Sequence, residues 1–328
     1  MPHFTSSPLD VAIVGAGQGS LSAAITLRRA GHNVTMYERC DFANEVGASL
    51  SSASDGSRFL HKWGVDVASA KPVGEYPLGD YKANIDTHRA LLASAFDHHK
   101  AIALDTSAGT ITFENGTTGT ADLIVAAEGI RSLFRGLICI TSQFTASTCC
   151  CYRSIISATK LRSLGLDAVI TNNAIEYWGG FGIHKIVMSP CSVGDVVSTY
   201  EFYPAAHNDL RQYGWNISAS PQQLADTFPD LDHRARTMFL HAEDIKMCGA
   251  VQAIEDAGAL GLMFGREGKE KYSFEEAMGL YKGLRKGRAT RMQEASAKAR
   301  EDLNERFGWS SANDRYEKLT IEEVCGYR

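Results

Sequence analysis

An apolar run, a glycine-rich turn and a segment of helical periodicity follow one another near the start of the chain. The run DVAIVGAG, which begins at Asp10, is apolar almost throughout, as in a strand buried on both faces of a parallel sheet. Leu21, Ala24 and Ile25 then recur at helical spacing, and Gly31 is a helix stop signal. The next segment, NVTMYER, has the composition of a second strand. The pattern therefore predicts a strand–turn–helix–strand unit.

The middle of the chain has the pattern of a β-rich region. Segments such as HKIVMSP and VVSTYEFYP are rich in β-branched and aromatic residues, which favours strands. The following SPQQLADTFPDLDHRARTMF predicts helix. Each aromatic residue of this region is best explained singly as a core or sheet-face residue, whereas as a group they could wall an aromatic pocket. The group consists of Trp178, Tyr200, Phe202 and Tyr203.

Composition restricts the class of protein and its partners. With 328 residues, 44% hydrophobic and 22% charged, the chain resembles an ordinary globular protein of one large domain or two closely joined ones. A formal net charge of -5 argues against a nucleic-acid partner. No apolar run is long enough to cross a bilayer, and MPHFTSSPLD lacks the features of a signal peptide. The 8 cysteines of the chain show no regular spacing, which argues against a disulfide framework. Together, these observations predict a cytoplasmic protein with no membrane insertion.

The glycine-rich turn carries the first chemical signal. Gly15 permits a tight turn, and Gly17 lets the backbone approach a pyrophosphate held at the helix N-terminus. Glu38 ends the second strand, where a carboxylate can accept hydrogen bonds from an adenosine ribose. Ser20 occupies the position of the third glycine and is expected to loosen helix–strand packing slightly. The order predicts a dinucleotide site, with a ligand-free turn as the alternative, but it does not separate FAD from NAD.

Other parts of the chain extend this signal: NEVGASLSSASDGSRFLHKWGV, HRALLASA, ADLIVAAEGIRSLFR, GAVQAIEDAGALG and RATRMQEASAKAREDLNERFGWSS. With the N-terminal unit, they resemble the FAD-dependent aromatic hydroxylases, the salicylate-hydroxylase-like flavoprotein monooxygenases. The resemblance implies an α/β fold: a Rossmann-like FAD-binding domain, an inserted, mainly β substrate-covering sheet and a C-terminal helical region. It divides the chain into a discontinuous FAD-binding domain, residues 1–148 and 241–328, and a substrate-covering domain, residues 149–240.

The resemblance also implies cofactor contacts, residue by residue. Arg89 in HRALLASA matches the family's flavin-contacting arginine, with a helix-surface charge as the alternative. Ala48 in VGASL matches a position that touches the cofactor through its backbone. Glu128 and Gly129 stand where the second flavin motif has Asp-Gly. The complete set of implied cofactor-binding residues is Gly15, Gly17, Gly19, Glu38, Arg39, Ala48, Arg89, Glu128, Gly129, Gly249 and Gln252.

Several blocks of the family pattern are missing from this chain. The third flavin motif, whose aspartate binds the ribityl chain, is expected between HAEDIKMC and GAVQAIEDA. No residue matches that aspartate, because Asp244 precedes the gap and Asp256 falls inside the next predicted helix. The region between Trp63 and His88 is compressed, and the segment before ADLIV has fewer candidate strands than the family. The abrupt edges indicate internal losses, from a skipped exon or a mispredicted gene, that threaten folding and cofactor binding.

The resemblance implies an FAD-dependent monooxygenase that uses NAD(P)H and O2 to hydroxylate a small phenolic or salicylate-like aromatic. The sequence fixes no catalytic acid or base and shows no metal-ligand spacing. A catalytically impaired or inactive truncated relative, which at most binds FAD or ADP weakly, is the alternative that the missing third motif favours. An NAD-dependent dehydrogenase is a third hypothesis. Arg89 and Glu128–Gly129 count against it, because such an enzyme has no need of them.

Overall fold

The computed structural model describes residues 7–40, 54–65, 95–129, 132–137, 149–167, 176–178, 184–207, 217–247, 259–260, 262–264 and 272–299. The strands within these ranges are β1 (Asp10–Val14), β2 (Asn33–Tyr37), β3 (Ala95–Phe96), β4 (Ala101–Asp105), β5 (Thr110–Phe113), β6 (Thr118–Thr120), β7 (Leu123–Ala126), β8 (Cys149–Ser157), β9 (Glu176–Trp178), β10 (Lys185–Cys191), β11 (Val196–Pro204) and β12 (Glu243–Met247). The α-helices are α1 (Gln18–Arg29), α2 (Ser54–Lys62), α3 (Phe134–Leu137), α4 (Ala158–Ser163), α5 (Pro221–Thr227), α6 (His233–Leu240) and α7 (Phe274–Ala299).

A parallel sheet contains the predicted strand–turn–helix–strand unit. Its four strands lie in the order β3-β2-β1-β7, and every neighbouring pair is parallel. From Val11 to Val14, β1 is buried throughout, as its continuous apolar pattern predicts. Within the part of the chain that the structure describes, no strand pairs with the outer edge of β7.

Helix α1 covers one face of the parallel sheet. Ala24 and Leu27 are fully buried and pack in one cluster with Ile13 and Met36. The helix ends where Gly31 adopts a left-handed φ of 85°, the conformation that the predicted stop signal requires.

His32 connects this face to the C-terminal part of the chain. Its Nδ1 accepts a hydrogen bond from the Leu9 backbone N–H at 3.0 Å. In a neutral ring the proton then lies on Nε2, which donates to the Phe264 carbonyl at 2.9 Å. Phe264 and Ala277 belong to the same buried cluster as α1. Residues from both ends of the chain therefore complete one core.

A small antiparallel sheet, in the order β4-β5-β6, packs on the opposite face of the parallel sheet. Ile111 and Phe113 meet Val14 and Phe134 in its core. Five strands, β3 to β7, follow one another in this segment; the prediction that the family has more stays a prediction. These strands are short and rich in threonine, and tight turns at Gly109 and elsewhere separate them, so their apolar signal is weak.

A five-stranded antiparallel sheet, in the order β12-β8-β11-β10-β9, forms the predicted β-rich region. Helices α4, α5 and α6 cover one of its faces, where Leu161, Leu224 and Phe239 are fully buried. Helix α5 begins with a capping box between Ser220 and Gln223. The division of the chain at residues 240 and 241 stays a prediction. Strand β12 falls in the predicted FAD-binding domain by number, but it pairs with β8 of the five-stranded sheet.

Helix α7 forms the expected C-terminal helical region, and the inward side chains Ala277 and Arg285 are buried. The predicted α/β class, with a Rossmann-like unit, a mainly β insertion and a C-terminal helix, is confirmed. None of the helices in the described ranges has the length and apolar character needed to span a membrane.

Candidate functional site

The glycine-rich turn lies where the carboxyl ends of three parallel strands meet. Gly15 has a φ of 108°, and its N–H donates to the Tyr37 carbonyl at 2.8 Å. A Cβ at this position would clash with the carbonyl oxygen of Ala127. Both the backbone conformation and the close approach therefore require glycine here.

Gly17 begins α1 and leaves its N-terminus open. It is the N-cap residue, with no side chain to cap the first backbone N–H groups, and the first helical turn holds no acidic residue. A Cβ added to Gly17 would meet no atom of the described residues within 4 Å. Gly19 lies in this first turn. Free N–H groups, the helix dipole and open space fit a pyrophosphate.

Ser20, at the third glycine position, ties the helix to the sheet. The sequence predicts looser packing here, but the residue is buried and its Oγ donates to the Ala127 carbonyl at 3.2 Å. The hydroxyl gives the helix a hydrogen bond to the sheet that a glycine could not make, and the looser packing stays a prediction.

Glu38 is held over the turn by backbone donors. Its Oε2 accepts from the Ala16 N–H at 2.7 Å, and its Oε1 accepts from the Cys40 N–H at 3.0 Å. Each carboxylate oxygen has a second lone pair, so the group can still accept ribose hydroxyls. Arg39 follows with an exposed side chain. The acid therefore lies beside the open helix N-terminus, as a dinucleotide site requires.

Glu128 and Gly129 follow β7 at the same edge of the sheet. The Glu128 carboxylate accepts from Ser132 Oγ at 2.6 Å and from the Leu133 N–H at 3.1 Å. Gly129 has a φ of 84° and accepts from the Ser132 N–H. The Glu128 carboxylate thus bonds the two residues that directly precede α3.

The structure brings most of the predicted N-terminal residues together at the carboxyl ends of β1, β2 and β7. Their contacts with a cofactor stay predictions. The remaining predicted residues lie outside the described ranges: Ala48, Arg89, Gly249 and Gln252.

The four aromatic residues of the β-rich region do not form one wall. Tyr203 lies on the helix-covered face, stacked on Tyr152 with ring centroids 4.9 Å apart, and Trp178 packs against the same cluster. Burial raises the pKa of the Tyr203 phenol. Tyr200 and Phe202 alternate with Tyr203 along β11 and so lie on the opposite face. The pocket interpretation therefore holds at most for these two.

Two buried cations on that opposite face were missed by sequence reasoning. The register places Arg153 beside Tyr200 and Lys185 beside Phe202. Arg153 is 5% exposed and donates to Asp244 at 3.3 Å, while Lys185 is 3% exposed. A charged residue inside each otherwise uncharged strand segment, CCCYRSIIS and KIVMSPC, was the signal available.

The described cysteines are all free thiols: Cys40, Cys149, Cys150, Cys151 and Cys191. Burial is the largest cause of the raised pKa of Cys150, which packs against the helix-covered cluster. The described ranges also hold no cluster of three or more potential metal ligands.

The chain is similar in sequence to oxidoreductases, including FAD-dependent monooxygenases. The family model of pyridine nucleotide-disulphide oxidoreductases matches residues 9–170. Hispidin-3-hydroxylase of Neonothopanus nambi is 28% identical over 376 aligned positions, which cover 88% of this chain and 87% of the relative. The FAD-dependent monooxygenase cfoG of Aspergillus candidus is 24% identical, over 88% of this chain and 85% of the relative.

Solved structures share the fold. A salicylate hydroxylase substrate complex has a TM-score of 0.68 at 16% identity and covers 95% of this chain and 92% of that chain. CtdE in complex with FAD has a TM-score of 0.71 at 16% identity, covering 94% and 96%. The matches confirm the predicted resemblance, the oxidoreductase class and FAD as the cofactor of that class.

The alignment with hispidin-3-hydroxylase also bears on the missing blocks. Its 376 aligned positions exceed the 328 residues of the whole chain. The alignment must therefore contain positions of the relative that face no residue here. This agrees with the internal losses that the sequence indicates.

Proposed function

We propose that this chain, a relative of the FAD-dependent aromatic hydroxylases, binds FAD and hydroxylates a small phenolic or salicylate-like aromatic with NAD(P)H and O2. The observation that carries the proposal is the arrangement at the carboxyl edge of the parallel sheet. There Gly17 leaves the N-terminus of α1 open, and the Glu38 carboxylate lies over the same turn. Both features suit the ADP half of a dinucleotide.

The residues at this edge have separable tasks. The first backbone N–H groups of α1, at Gly17 and Gly19, would bind the pyrophosphate, and Glu38 would accept the ribose hydroxyls. Arg39 and Glu128 lie close along the chain to this edge and are proposed as further contacts. Bound FAD supplies electron transfer from the nicotinamide and activation of oxygen; the protein supplies binding, orientation and exclusion of water.

The five-stranded sheet is proposed to recognise the substrate, as residues 149–240 would in the division made from the sequence. Its face opposite the helices presents the half-buried rings of Tyr200 and Phe202 between two buried cations, Arg153 and Lys185. Rings favour stacking against an aromatic substrate, and cations favour its carboxylate or phenolate.

A second candidate is a chain that binds FAD or ADP weakly and has no hydroxylase activity. Two observations favour it: β7 has no pairing strand on its outer side among the described residues, and the alignment with a relative opens gaps in this chain. The strand of the third flavin motif belongs to the core sheet in the family, so its loss would weaken the flavin end more than the ADP end.

The visible absorption spectrum of the purified protein, recorded before and after incubation with FAD and desalting, separates the candidates. We expect a retained, structured flavin spectrum. Oxidation of NADH or NADPH that depends on a phenolic acid, together with a product that has gained one oxygen atom, then tests hydroxylation. A protein that stays colourless after FAD and desalting contradicts the enzyme and agrees with the weak binder of the second candidate. Retained flavin without hydroxylated product contradicts hydroxylation alone.

A further inference from the structure

The order of the strands sets the direction in which a dinucleotide would lie along the sheet. The phosphate-binding turn follows β1, and the ribose-binding acid follows β2, its neighbour. The next strand outward is β3. In ADP, the base is attached to the same ribose on the side away from the phosphates. The base would therefore lie at the carboxyl end of β3.

Phe96 occupies that end. In the parallel register it pairs with Tyr37, the residue before Glu38. The Glu38 N–H donates to the Phe96 carbonyl at 2.8 Å, and the Glu38 carbonyl accepts from the His99 N–H at 2.7 Å. Two backbone hydrogen bonds thus fix the segment from Phe96 to His99 against the ribose-binding acid.

The Phe96 ring is supported on one side and open on the other. It stacks on Tyr37 with centroids 5.6 Å apart and an interplanar angle of 16°, and it tilts against His99 at 5.3 Å. Even so, Phe96 is 49% exposed. The segment that hydrogen-bonds the Glu38 backbone therefore carries a half-exposed ring, and such a ring can offer its open face to a planar ligand.

The supporting rings are themselves fixed. Tyr37 contacts Phe113, a fully buried residue of the small antiparallel sheet, with centroids 4.5 Å apart. A Cβ added to Gly119 would lie 2.6 Å from the Tyr37 hydroxyl, so that the glycine lets this ring seat against β6. The Phe96 ring therefore needs little ordering on binding, which favours affinity.

We propose that Phe96 is the stacking platform for the purine base of the dinucleotide, at the carboxyl end of β3. The inference rests on the proposed function for its cofactor, and it adds a contact that the glycine and acid motif does not supply. A purine offers a larger stacking surface than a pyrimidine, so this platform favours adenine nucleotides over pyrimidine nucleotides.

Binding of ADP and UDP to the full chain, measured by calorimetry, tests the platform. Phe96→Leu keeps an apolar side chain and removes the ring, Phe96→Tyr keeps the ring, and Leu240→Ala removes an exposed apolar side chain from α6 as the matched control. We expect Phe96→Leu to weaken ADP binding about tenfold and UDP binding less. Phe96→Tyr and Leu240→Ala should match the wild type. FAD affinity should fall by the same factor as ADP affinity, because the base is shared.

The ratio of ADP to UDP affinity within one variant does not depend on the folded fraction, so partial unfolding cannot imitate the result. An unchanged ratio in Phe96→Leu, in a protein that binds FAD, would overturn the platform and leave the proposed function standing. A wild-type protein that binds neither ADP nor FAD would overturn both.

Discussion

The carboxyl edge of the parallel sheet and the centre of the five-stranded sheet reach their geometry by different means. At the edge, backbone hydrogen bonds set the geometry: the Gly15 N–H donates to the Tyr37 carbonyl, and backbone N–H groups hold the Glu38 carboxylate. In the five-stranded sheet, contacts between side chains set the geometry, as in the stacked rings of Tyr152 and Tyr203. The first region therefore depends on a few residue types at fixed places, and the second on which face each residue occupies.

The largest expected effect comes from a methyl group at the edge. Gly15→Ala places a Cβ against the Ala127 carbonyl and forces a non-glycine residue to a φ of 108°. We expect the free energy of unfolding, measured by urea denaturation, to fall by about 2–4 kcal/mol. Gly17→Ala is the matched control: among the described residues its Cβ meets no atom within 4 Å, and it should change stability by less than about 1 kcal/mol while weakening FAD binding. Equal stability losses in the two variants would contradict the backbone account.

Removing one charge at the edge should have the next largest effect. Glu38→Gln keeps the size of the side chain but loses the charge that strengthens hydrogen bonds from ribose hydroxyls. It also loses one of the two backbone hydrogen bonds that hold the group, because the amide NH2 cannot accept. We expect the Kd for FAD, measured by fluorescence titration, to rise about tenfold. Glu114→Gln, which removes an exposed carboxylate paired with Lys100 on the small sheet, should leave that Kd unchanged. Equal Kd values for wild type and Glu38→Gln would place the ribose elsewhere.

On the five-stranded sheet, Lys185→Met tests the buried cation beside Phe202. We expect KM for a phenolic carboxylate to rise about fivefold, and KM for the uncharged phenol to stay constant, because only the former loses a charge-assisted contact. Lys160→Met is the control, since this lysine lies on α4, which covers the other face of the same sheet. A similar change in KM for both substrates would show that Lys185 acts through packing alone.

The smallest effect concerns the helix-covered face and alkaline pH. Burial raises the pKa of Tyr203 in the folded chain, whereas the unfolded chain ionises this phenol at about pH 10. The contribution of Tyr203 to stability is therefore complete below about pH 10 and is lost as the pH rises further. Tyr203→Phe should lose less stability than the wild type between about pH 9 and pH 11, measured by urea denaturation at each pH. Parallel pH profiles would mean that Tyr203 does not carry this dependence.

The sequence predicts the edge well, because its chemistry requires specific residues at specific spacings. A φ of 108° at Gly15 and the close approach to Ala127 admit almost no residue other than glycine, so the turn can be predicted from the sequence. Ser20 shows the limit. Its small size can be read from the sequence, but its acceptor, the Ala127 carbonyl, lies 107 residues away and is known only from the fold.

The five-stranded sheet is predictable as a region but not as a surface. Tyr200 and Tyr203 differ by an odd number of positions in one strand, which places them on opposite faces. Strand alternation alone is therefore enough to divide the aromatic group into two sets. Which face the helices cover is not predictable in this way, because it depends on how α5 and α6 return to the sheet.

The core shared by α1, Phe264 and Ala277 has a consequence for the order of events during synthesis. The ribosome makes the carboxyl edge of the parallel sheet first, yet the cluster beneath it gains its last members only when the C-terminal part has emerged. Until then, the nascent unit exposes apolar surface whose packing partners lie more than 200 positions downstream. The hydrogen bond from His32 to the Phe264 carbonyl spans a similar distance along the chain. Such long-range closure slows folding and leaves the growing chain in need of protection from aggregation. A chain interrupted before Phe264 would therefore lack a finished core, although every letter of its dinucleotide fingerprint is present.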